Sequence, residues 1–190
     1  MLEIREATSQ DVEEVALIHS TTIPYSINSA MGVSRLCNLY HHTLKDPDSL
    51  LLVASVDNRV IGFISGTSEF RNLAKGATSN ISIGQIFNAL RKMSPFKLVV
   101  AAVDLILLSR AFQSQGNFYY FSTWGMLPNS HPTAGAALFR ELEKRARNTG
   151  SQAVVVNVSK GNAKVLQMYH SLGFLPVTKT VSEIILKKQY

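Results

Sequence analysis

The sequence predicts a mixed α/β fold, in which strand-like and helix-like segments alternate along the chain. Residues 118–174 have the pattern of an apolar strand, a helix-opening loop, an amphipathic helix, a second apolar strand and a short helix ending at Gly173. Two β-rich runs flank the turn dipeptide of Asp57 and Asn58, which predicts an antiparallel hairpin. With 190 residues and 46% hydrophobic content the chain can bury a core, and its length favours one domain over residues 1–190.

The N-terminal region predicts a strand followed by a helix. The apolar residues Leu2, Ile4 and Ala7 indicate a short strand at the start of the chain. Thr8 or Ser9 can cap the following helix, and Asp11 suits its first turn. The mixed composition of residues 20–48 indicates broken helices or loops before the hairpin.

Residues 68–117 predict two helices with substantial apolar faces. The first is indicated near residues 83–90 and the second, more hydrophobic one at residues 98–112, with a break at Ser94 and Pro95. Such faces must pack on the body of the protein, on each other or on a partner. A helical lid, a wall of a substrate site, a contact in a homodimer and plain structural packing all remain open.

The C-terminal third predicts three strands and two helices. In order, we expect a strand at 118–127, a helix at 133–148, a strand covered on both faces at 153–158, a helix at 162–172 and a closing strand at 181–186. The first strand ends at Pro128 and Asn129, and Gly150 suits the end of the first helix.

Cysteine content and apolar runs restrict the class of protein. Cys37 is the only cysteine, so neither an intramolecular disulfide nor a cysteine metal cluster can form, and we predict no metal site. Acidic residues interrupt the first eighteen positions, which do not match an export signal, and we expect a cytoplasmic location. The apolar run at residues 98–108 contains Asp104 and is too short for stable membrane insertion.

The positive net charge suits an anionic ligand. The formal net charge is +6 and the isoelectric point is near 9.6, so the field of the protein attracts phosphates. The basic residues are dispersed, and Glu141 precedes Arg145 by the four positions of ordinary helix-surface pairing. We therefore expect no dedicated nucleic-acid groove.

Four short motifs in the C-terminal third carry a family resemblance. They are Trp124-Gly125-Met126-Leu127-Pro128, His131-Pro132-Thr133-Ala134-Gly135-Ala136, Asn162-Ala163 and Tyr169-His170-Ser171-Leu172-Gly173-Phe174. Their order resembles the GNAT superfamily of acyl-CoA-dependent N-acyltransferases. Its members carry a loop of the form [Gln/Arg]-x-x-Gly-x-[Gly/Ala], an Asn that opens the next helix, and a Tyr shortly before Gly-Phe.

The resemblance implies a GNAT-type fold, a mixed and mostly antiparallel sheet flanked by helices. Compact members of the family connect the third and fourth strands with far fewer residues. The resemblance therefore makes residues 68–117 a helical insertion within the single domain.

Residues 131–136 occupy the position of the family's diphosphate loop. A strand, a tight loop and a helix place unpaired N–H groups and the positive end of a helix dipole together. The resemblance makes His131, Thr133, Ala134, Gly135 and Ala136 the cofactor-binding residues. His131 replaces the usual Gln or Arg, and Ala134 replaces the first Gly, which would cost about 1–2 kcal/mol if φ were positive there. The simpler alternative is a helix capped by Thr133.

The resemblance also implies roles for single residues around the acyl group. Asn162 caps the last helix and would lie beside the pantetheine arm of CoA. Tyr169 follows two helical turns later and would protonate the leaving thiolate. Main-chain N–H groups of Met126 and Leu127 would polarise the thioester carbonyl.

A general base is the least determined part of the predicted site. Glu69 follows the third strand and could accept the amine proton, although an acid in such a loop is more often simply solvated. His19, His41 and His42 have a suitable reference pKa but lie in no motif. Trp124 would either line the acyl pocket or fill the core.

The sequence thus predicts an N-acetyltransferase that moves an acetyl group from acetyl-CoA to a primary amine of a small molecule or peptide by direct attack. One alternative is a non-catalytic CoA-binding or protein-interaction module on the same fold. Another is peripheral attachment to a membrane or nucleic acid through the basic surface and the helix at 98–112.

Overall fold

The computed structural model describes residues 1–70, 81–92, 94–128 and 130–190. Its strands are β1 (Leu2–Glu6), β2 (Ser49–Val56), β3 (Arg59–Thr67), β4 (Tyr119–Met126), β5 (Ala153–Ser159), β6 (Leu175–Lys179) and β7 (Glu183–Gln189). Its helices are α1 (Val12–Thr22), α2 (Ile27–Met31), α3 (Val33–Lys45), α4 (Ile83–Lys92), α5 (Pro95–Gln113), α6 (Ala134–Asn148) and α7 (Ala163–Ser171).

The strands form one seven-stranded sheet in the order β1-β2-β3-β4-β5-β7-β6. Every neighbouring pair is antiparallel except β4 and β5, which are parallel. Helices α6 and α7 cover one face, where their apolar side chains join the largest core cluster. Helices α1, α3 and α5 cover the opposite face. The predicted mixed, mostly antiparallel sheet flanked by helices is confirmed.

The hairpin between β2 and β3 turns at the two predicted residues. Asp57 and Asn58 both have positive φ, 49° and 63°. These values are those of a type I′ turn, whose twist matches that of the flanking strands. The antiparallel pairing then brings Val56 opposite Arg59, as predicted from the sequence.

The start of α1 differs from the prediction because Asp11 organises the preceding turn. The helix begins at Val12, and neither Thr8 nor Ser9 caps it. Thr8 instead donates its N–H and its hydroxyl to Asp11 Oδ2, at 2.7 and 2.9 Å. The Arg5 guanidinium donates to both carboxylate oxygens of Asp11, at 2.8 and 2.7 Å. This paired geometry joins β1 to α1.

Substituting Asp11 by asparagine is expected to destabilise the protein at neutral pH. The Arg5 hydrogen bonds lower the pKa of Asp11 from 3.8 to about 2, against the opposing effect of burial. Because the pKa of Asp11 is lower in the folded protein than in the unfolded chain, the charged carboxylate stabilises the native state at pH values above the unfolded-state pKa. This stabilisation is lost as the pH falls through about 2. The shift corresponds to roughly 2 kcal/mol. Urea unfolding should show a lower free energy of unfolding for Asp11→Asn than for the wild type at neutral pH, and the difference should disappear in acid. Glu13→Gln is the control. Equal free energies of unfolding for Asp11→Asn and Glu13→Gln at neutral pH would contradict the prediction.

The two helices predicted in residues 68–117 are present as α4 and α5. Part of that segment, residues 71–80 and residue 93, lies outside the described residues. Near the end of α5, Phe112 is buried against Tyr120, Val155 and Ile185. Plain packing on the sheet therefore accounts for one end of α5. Within the described ranges, no helix combines the length and apolarity needed to cross a membrane.

A buried carboxylate attaches the middle of α5 to the turn between β6 and β7. Asp104 Oδ1 accepts from the Val181 N–H at 2.8 Å, and Oδ2 accepts from the Ser182 N–H at 3.1 Å and from the Ser182 hydroxyl. Burial opposes the charged carboxylate, but these hydrogen bonds lower the pKa of Asp104 overall. The charged residue that interrupts the apolar run at 98–108 is therefore an anchor within the fold.

Candidate active site

The strands β4 and β5 separate after a short paired segment. Their pairing comprises Tyr119 with Val154 and Tyr120 with Val155. Beyond these residues β4 continues to Met126 paired with β3, and β5 continues to Ser159 paired with β7. Both strands lie wholly within the described ranges, so the sheet has a wedge-shaped opening, called here the β4–β5 gap, whose closed end is at Tyr120.

A β-bulge in β4 lies next to the closed end of the gap. Ser65 of β3 pairs with Thr123, whereas the next residue, Gly66, pairs with Phe121. Ser122 is therefore the extra residue on β4. A bulge bends its strand and increases the local twist, which is consistent with β4 turning away from β5 at this point.

Hydrogen-bond alternation determines which β4 amides face the gap. The Leu127 N–H donates to Ile61 O of β3 at 2.9 Å. In an antiparallel ladder the intervening residues point their N–H groups to the other side, so those of Trp124 and Met126 face the gap. The expectation for the Met126 amide is compatible with this geometry. The Leu127 amide is already bonded. The direction of the Trp124 amide could not be predicted from the sequence, because it depends on the register of β4 with β3.

Two free amides lie at the start of α6. The Ala134 N–H donates to His131 O at 3.1 Å and the Ala137 N–H to Thr133 O at 2.9 Å. Among the described residues no hydrogen bond engages the N–H groups of Gly135 and Ala136, which belong to the first turn. With the dipole of this fifteen-residue helix, they form an anion-binding position.

The neighbouring loop residues have other roles. Thr133 makes no side-chain cap, and its hydroxyl lies 3.1 Å from His131 Nδ1. Ala134 is fully buried in the core, and among the described non-glycine residues positive φ occurs only in the β2–β3 turn. Alanine at the usual glycine position therefore causes no backbone strain, and its methyl group points into the core.

The indole of Trp124, a residue of β4, packs against the start of α6. Its indole stacks on the Phe139 ring at 5.9 Å between centroids. A Cβ at Gly135 would lie 3.1 Å from the indole, so glycine permits this close approach. The indole Nε1 is buried and has no hydrogen-bond partner among the described residues. A buried N–H without a partner is costly, and a ligand oxygen could satisfy it.

Asn162 is the N-cap of α7 and Tyr169 lies within it, on the same face of the sheet as α6. The Asn162 side chain accepts a hydrogen bond from the Val165 N–H at 3.3 Å, so its predicted capping role is confirmed. Tyr169 is buried against Phe121 and Phe174, with ring centroids 5.7 and 5.2 Å away. Burial raises the pKa of its phenol, and nearby Tyr120 adds to the rise. The phenol therefore stays protonated at neutral pH.

On the opposite face, a chain of polar side chains runs from the closed end of the gap across β5 to β7. The Tyr120 hydroxyl donates to Asn157 Oδ1 at 2.5 Å, and Asn157 Nδ2 donates to Glu183 Oε2 at 3.4 Å. Glu69 lies just beyond the end of β3 and is exposed. Sequence reasoning missed Asn157 and Glu183, because nothing in the sequence indicates which strand neighbours β5.

A second polar chain on this face begins at a buried histidine. His19 Nδ1 lies 2.6 Å from the Tyr40 hydroxyl and Nε2 lies 3.2 Å from Ser26 Oγ. Tyr40 also hydrogen-bonds Thr123 on β4. Burial lowers the pKa of His19 to about 4, so the ring is neutral at physiological pH. His19 is thus a locally bonded histidine.

Comparison with other proteins identifies similar structures but no similar sequence family. No family model matches the chain, and no curated protein sequence matches it. PaiA N-acetyltransferase from Thermoplasma acidophilum, solved in complex with coenzyme A, is 20% identical with a TM-score of 0.62, over 100% of this chain and 99% of that one.

Two further solved structures have the same fold. A protein from Desulfovibrio desulfuricans described as an acetyltransferase of the GNAT family is 14% identical with a TM-score of 0.65, over 100% of this chain and 99% of that one. Ribosomal-protein-alanine N-acetyltransferase from Brucella melitensis is 14% identical with a TM-score of 0.60, over 99% of each chain. At these identities the likeness shows the fold, and the predicted GNAT-type fold is confirmed.

Proposed function

We propose that this chain is an N-acetyltransferase of the GNAT superfamily that transfers an acetyl group from acetyl-CoA to a primary amine of a small molecule or peptide by direct attack. The observation that carries the proposal is the β4–β5 gap, with main-chain N–H groups along one wall and free helix N–H groups near its open end. An extended thioester arm fits such an edge as an added strand.

The residues around the gap fit acetyl-CoA. Gly135 and Ala136 would hold the diphosphate through their N–H groups, near Thr133 and His131. Trp124 and Met126 would bind the arm and the thioester oxygen through N–H groups that face the gap. The partnerless Trp124 indole N–H and the net charge of +6 both favour an anionic, oxygen-rich ligand. When bound, acetyl-CoA supplies the acetyl group as an activated thioester.

Tyr169 is the proposed general acid. Its phenol is protonated because burial raises its pKa, and the hydroxyl has no hydrogen-bond partner among the described residues. The proton can therefore pass to a leaving thiolate without breaking an internal hydrogen bond. Asn162 fixes the start of the helix that carries Tyr169, which sets the direction of the phenol. Glu69 stays a candidate base predicted from the sequence.

A protein-interaction module is the second candidate function, because α4 and α5 carry exposed apolar side chains. Ile83 is 87% exposed and Phe96 is 75% exposed. Large exposed apolar side chains at several positions on two helices are typical of contact surfaces. Such a contact is compatible with catalysis, so only the absence of acetyl transfer would favour the module alone.

Calorimetric titration with acetyl-CoA, followed by thiol-release assays over a panel of amines in the same preparation, tests the proposal. We expect one binding site per chain and thiol release that depends on both acetyl-CoA and amine. Binding without thiol release for any amine would favour a non-catalytic CoA-binding module. No binding at all would contradict the acetyltransferase and leave the protein-interaction module.

A further inference from the structure

Within the described part of the chain, one carboxylate on the face of the sheet opposite α6 and α7 has no cationic partner. Glu183 begins β7, and its Oε2 accepts one long hydrogen bond, 3.4 Å, from Asn157. No lysine or arginine forms an ion pair with Glu183 among the residues that the structure describes. Desolvation disfavours the charged form of such a carboxylate, and a cation bound beside it would offset that cost.

Two lysines of the described neighbouring segments donate to main-chain carbonyls instead. Lys160 donates to main-chain carbonyls at 2.6 and 2.8 Å, and Lys187 donates to Gln115 O at 3.0 Å. Asp104 of α5, which lies close enough to raise the pKa of Glu183, is itself saturated by the β6–β7 turn. Burial is the larger cause of that rise, and Asn157 opposes it.

Position links Glu183 to the reacting centre. Asn157 joins the Glu183 carboxylate to the Tyr120 hydroxyl, and Tyr120 is the last β4 residue paired with β5. The three side chains therefore run from the closed end of the gap across β5 to the start of β7, on the face opposite α6 and α7. An amine that reached the gap from the Glu183 side would pass these side chains.

The surroundings of this polar chain are aromatic. Phe70 and Phe112 each place their ring centroids 5.0 Å from that of Tyr120. Together with α5 they give this face an apolar wall beside the Glu183 carboxylate. An amine with an apolar body matches both features.

We propose that Glu183 binds the ammonium group of the acceptor and removes its proton, and that the acceptor is a primary amine on an apolar body without a neighbouring carboxylate. This inference rests on the proposed function and identifies its base and its substrate class. Asp104 and Glu183 place two negative charges near the entering amine, so a carboxylate on the same molecule is repelled.

The proton balance involves both faces of the sheet. The ammonium transfers one proton to the Glu183 carboxylate, and the neutral amine nitrogen then forms the new bond to the acetyl carbon. As the carbon–sulfur bond breaks, the sulfur takes the Tyr169 proton, and the attacking nitrogen returns its second proton to Tyr169. Glu183 releases its proton to solvent, so the net products are the amide, the thiol and one proton.

Steady-state kinetics with phenethylamine as the acceptor tests the catalytic part. Glu183→Gln is expected to lower kcat/KM for the amine about 100-fold and to make the rate rise continuously with pH, because only free amine then reacts. Glu3→Gln, on the exposed edge strand β1, is the matched control and should behave as wild type. Phenylalanine should be a poorer acceptor than phenethylamine by at least about tenfold.

A binding experiment on the free protein tests the same carboxylate without turnover. In NMR titrations, n-butylammonium should shift the Asn157 side-chain amide of the wild type and of Glu3→Gln but not of Glu183→Gln, and n-butanol should shift none of them. The inference is overturned if Glu183→Gln keeps the wild-type kinetics or the butylammonium shift, or if Glu69→Gln alone loses activity. Failure of acetyl-CoA to bind would overturn the proposed function instead. The n-butylammonium titration would then still show whether Glu183 binds an ammonium group.

Discussion

Replacing Tyr169 by phenylalanine is expected to lower turnover about 100-fold while changing acetyl-CoA affinity by less than about twofold. The substitution removes the proton for the leaving thiolate and keeps the ring contacts with Phe121 and Phe174. Since the hydroxyl has no partner among the described residues, its loss leaves no internal donor or acceptor unsatisfied. Turnover, calorimetric affinity and melting temperature should be measured together on the same variant.

The Tyr169→Leu variant serves as the packing control. It removes both the hydroxyl and the aromatic contacts, so its melting temperature should fall while that of Tyr169→Phe stays near the wild-type value. A purely structural tyrosine would give a different result. In that case Tyr169→Phe would keep its turnover, or would lose turnover and affinity equally.

Proline at position 126 is expected to lower kcat/KM for acetyl-CoA about 100-fold, the effect of removing one donor to the developing oxyanion or to the thioester arm. Proline has no N–H, and the Met126 N–H faces the gap away from the ladder with β3. The ladder bond from Leu127 to Ile61 is retained. The melting temperature should therefore fall much less than for a proline in a fully paired strand.

Met126→Leu is the matched control, because leucine keeps the main-chain N–H and a similar side-chain volume. It should bind and turn over acetyl-CoA as the wild type does. Equal impairment of both variants would assign the effect to the Met126 side chain, which lies near Gly62 and Gly135, and would exclude the amide.

The parts of the fold that were predicted correctly depend mostly on short runs of adjacent residues. The turn at Asp57 and Asn58, the helix break near Pro95 and the Asn162 cap each depend on a few adjacent residues, and each is found as expected. The strand β6 was not predicted, because Pro176 and the exposed residues of this edge strand give no clear alternation.

The parts of the site that could not be predicted depend on pairing between distant segments. The Leu127 amide was expected to be free, and only the register with Ile61 shows that it is bonded. Ala134 would strain the phosphate loop only if its φ were positive, and the structure instead gives it an ordinary helix start with a buried methyl group. Glu183 approaches the gap only because β7 inserts between β5 and β6.

Amide chemical shifts during an acetyl-CoA titration test the central claim most directly. If the thioester arm lies in the β4–β5 gap, the largest changes should occur at the N–H groups of Trp124, Met126, Gly135 and Ala136 and at the Trp124 indole N–H, with little change at Leu127. Saturable binding that leaves these five groups unchanged, or shifts confined to α4 and α5, would show that the gap does not hold the cofactor and would contradict the account.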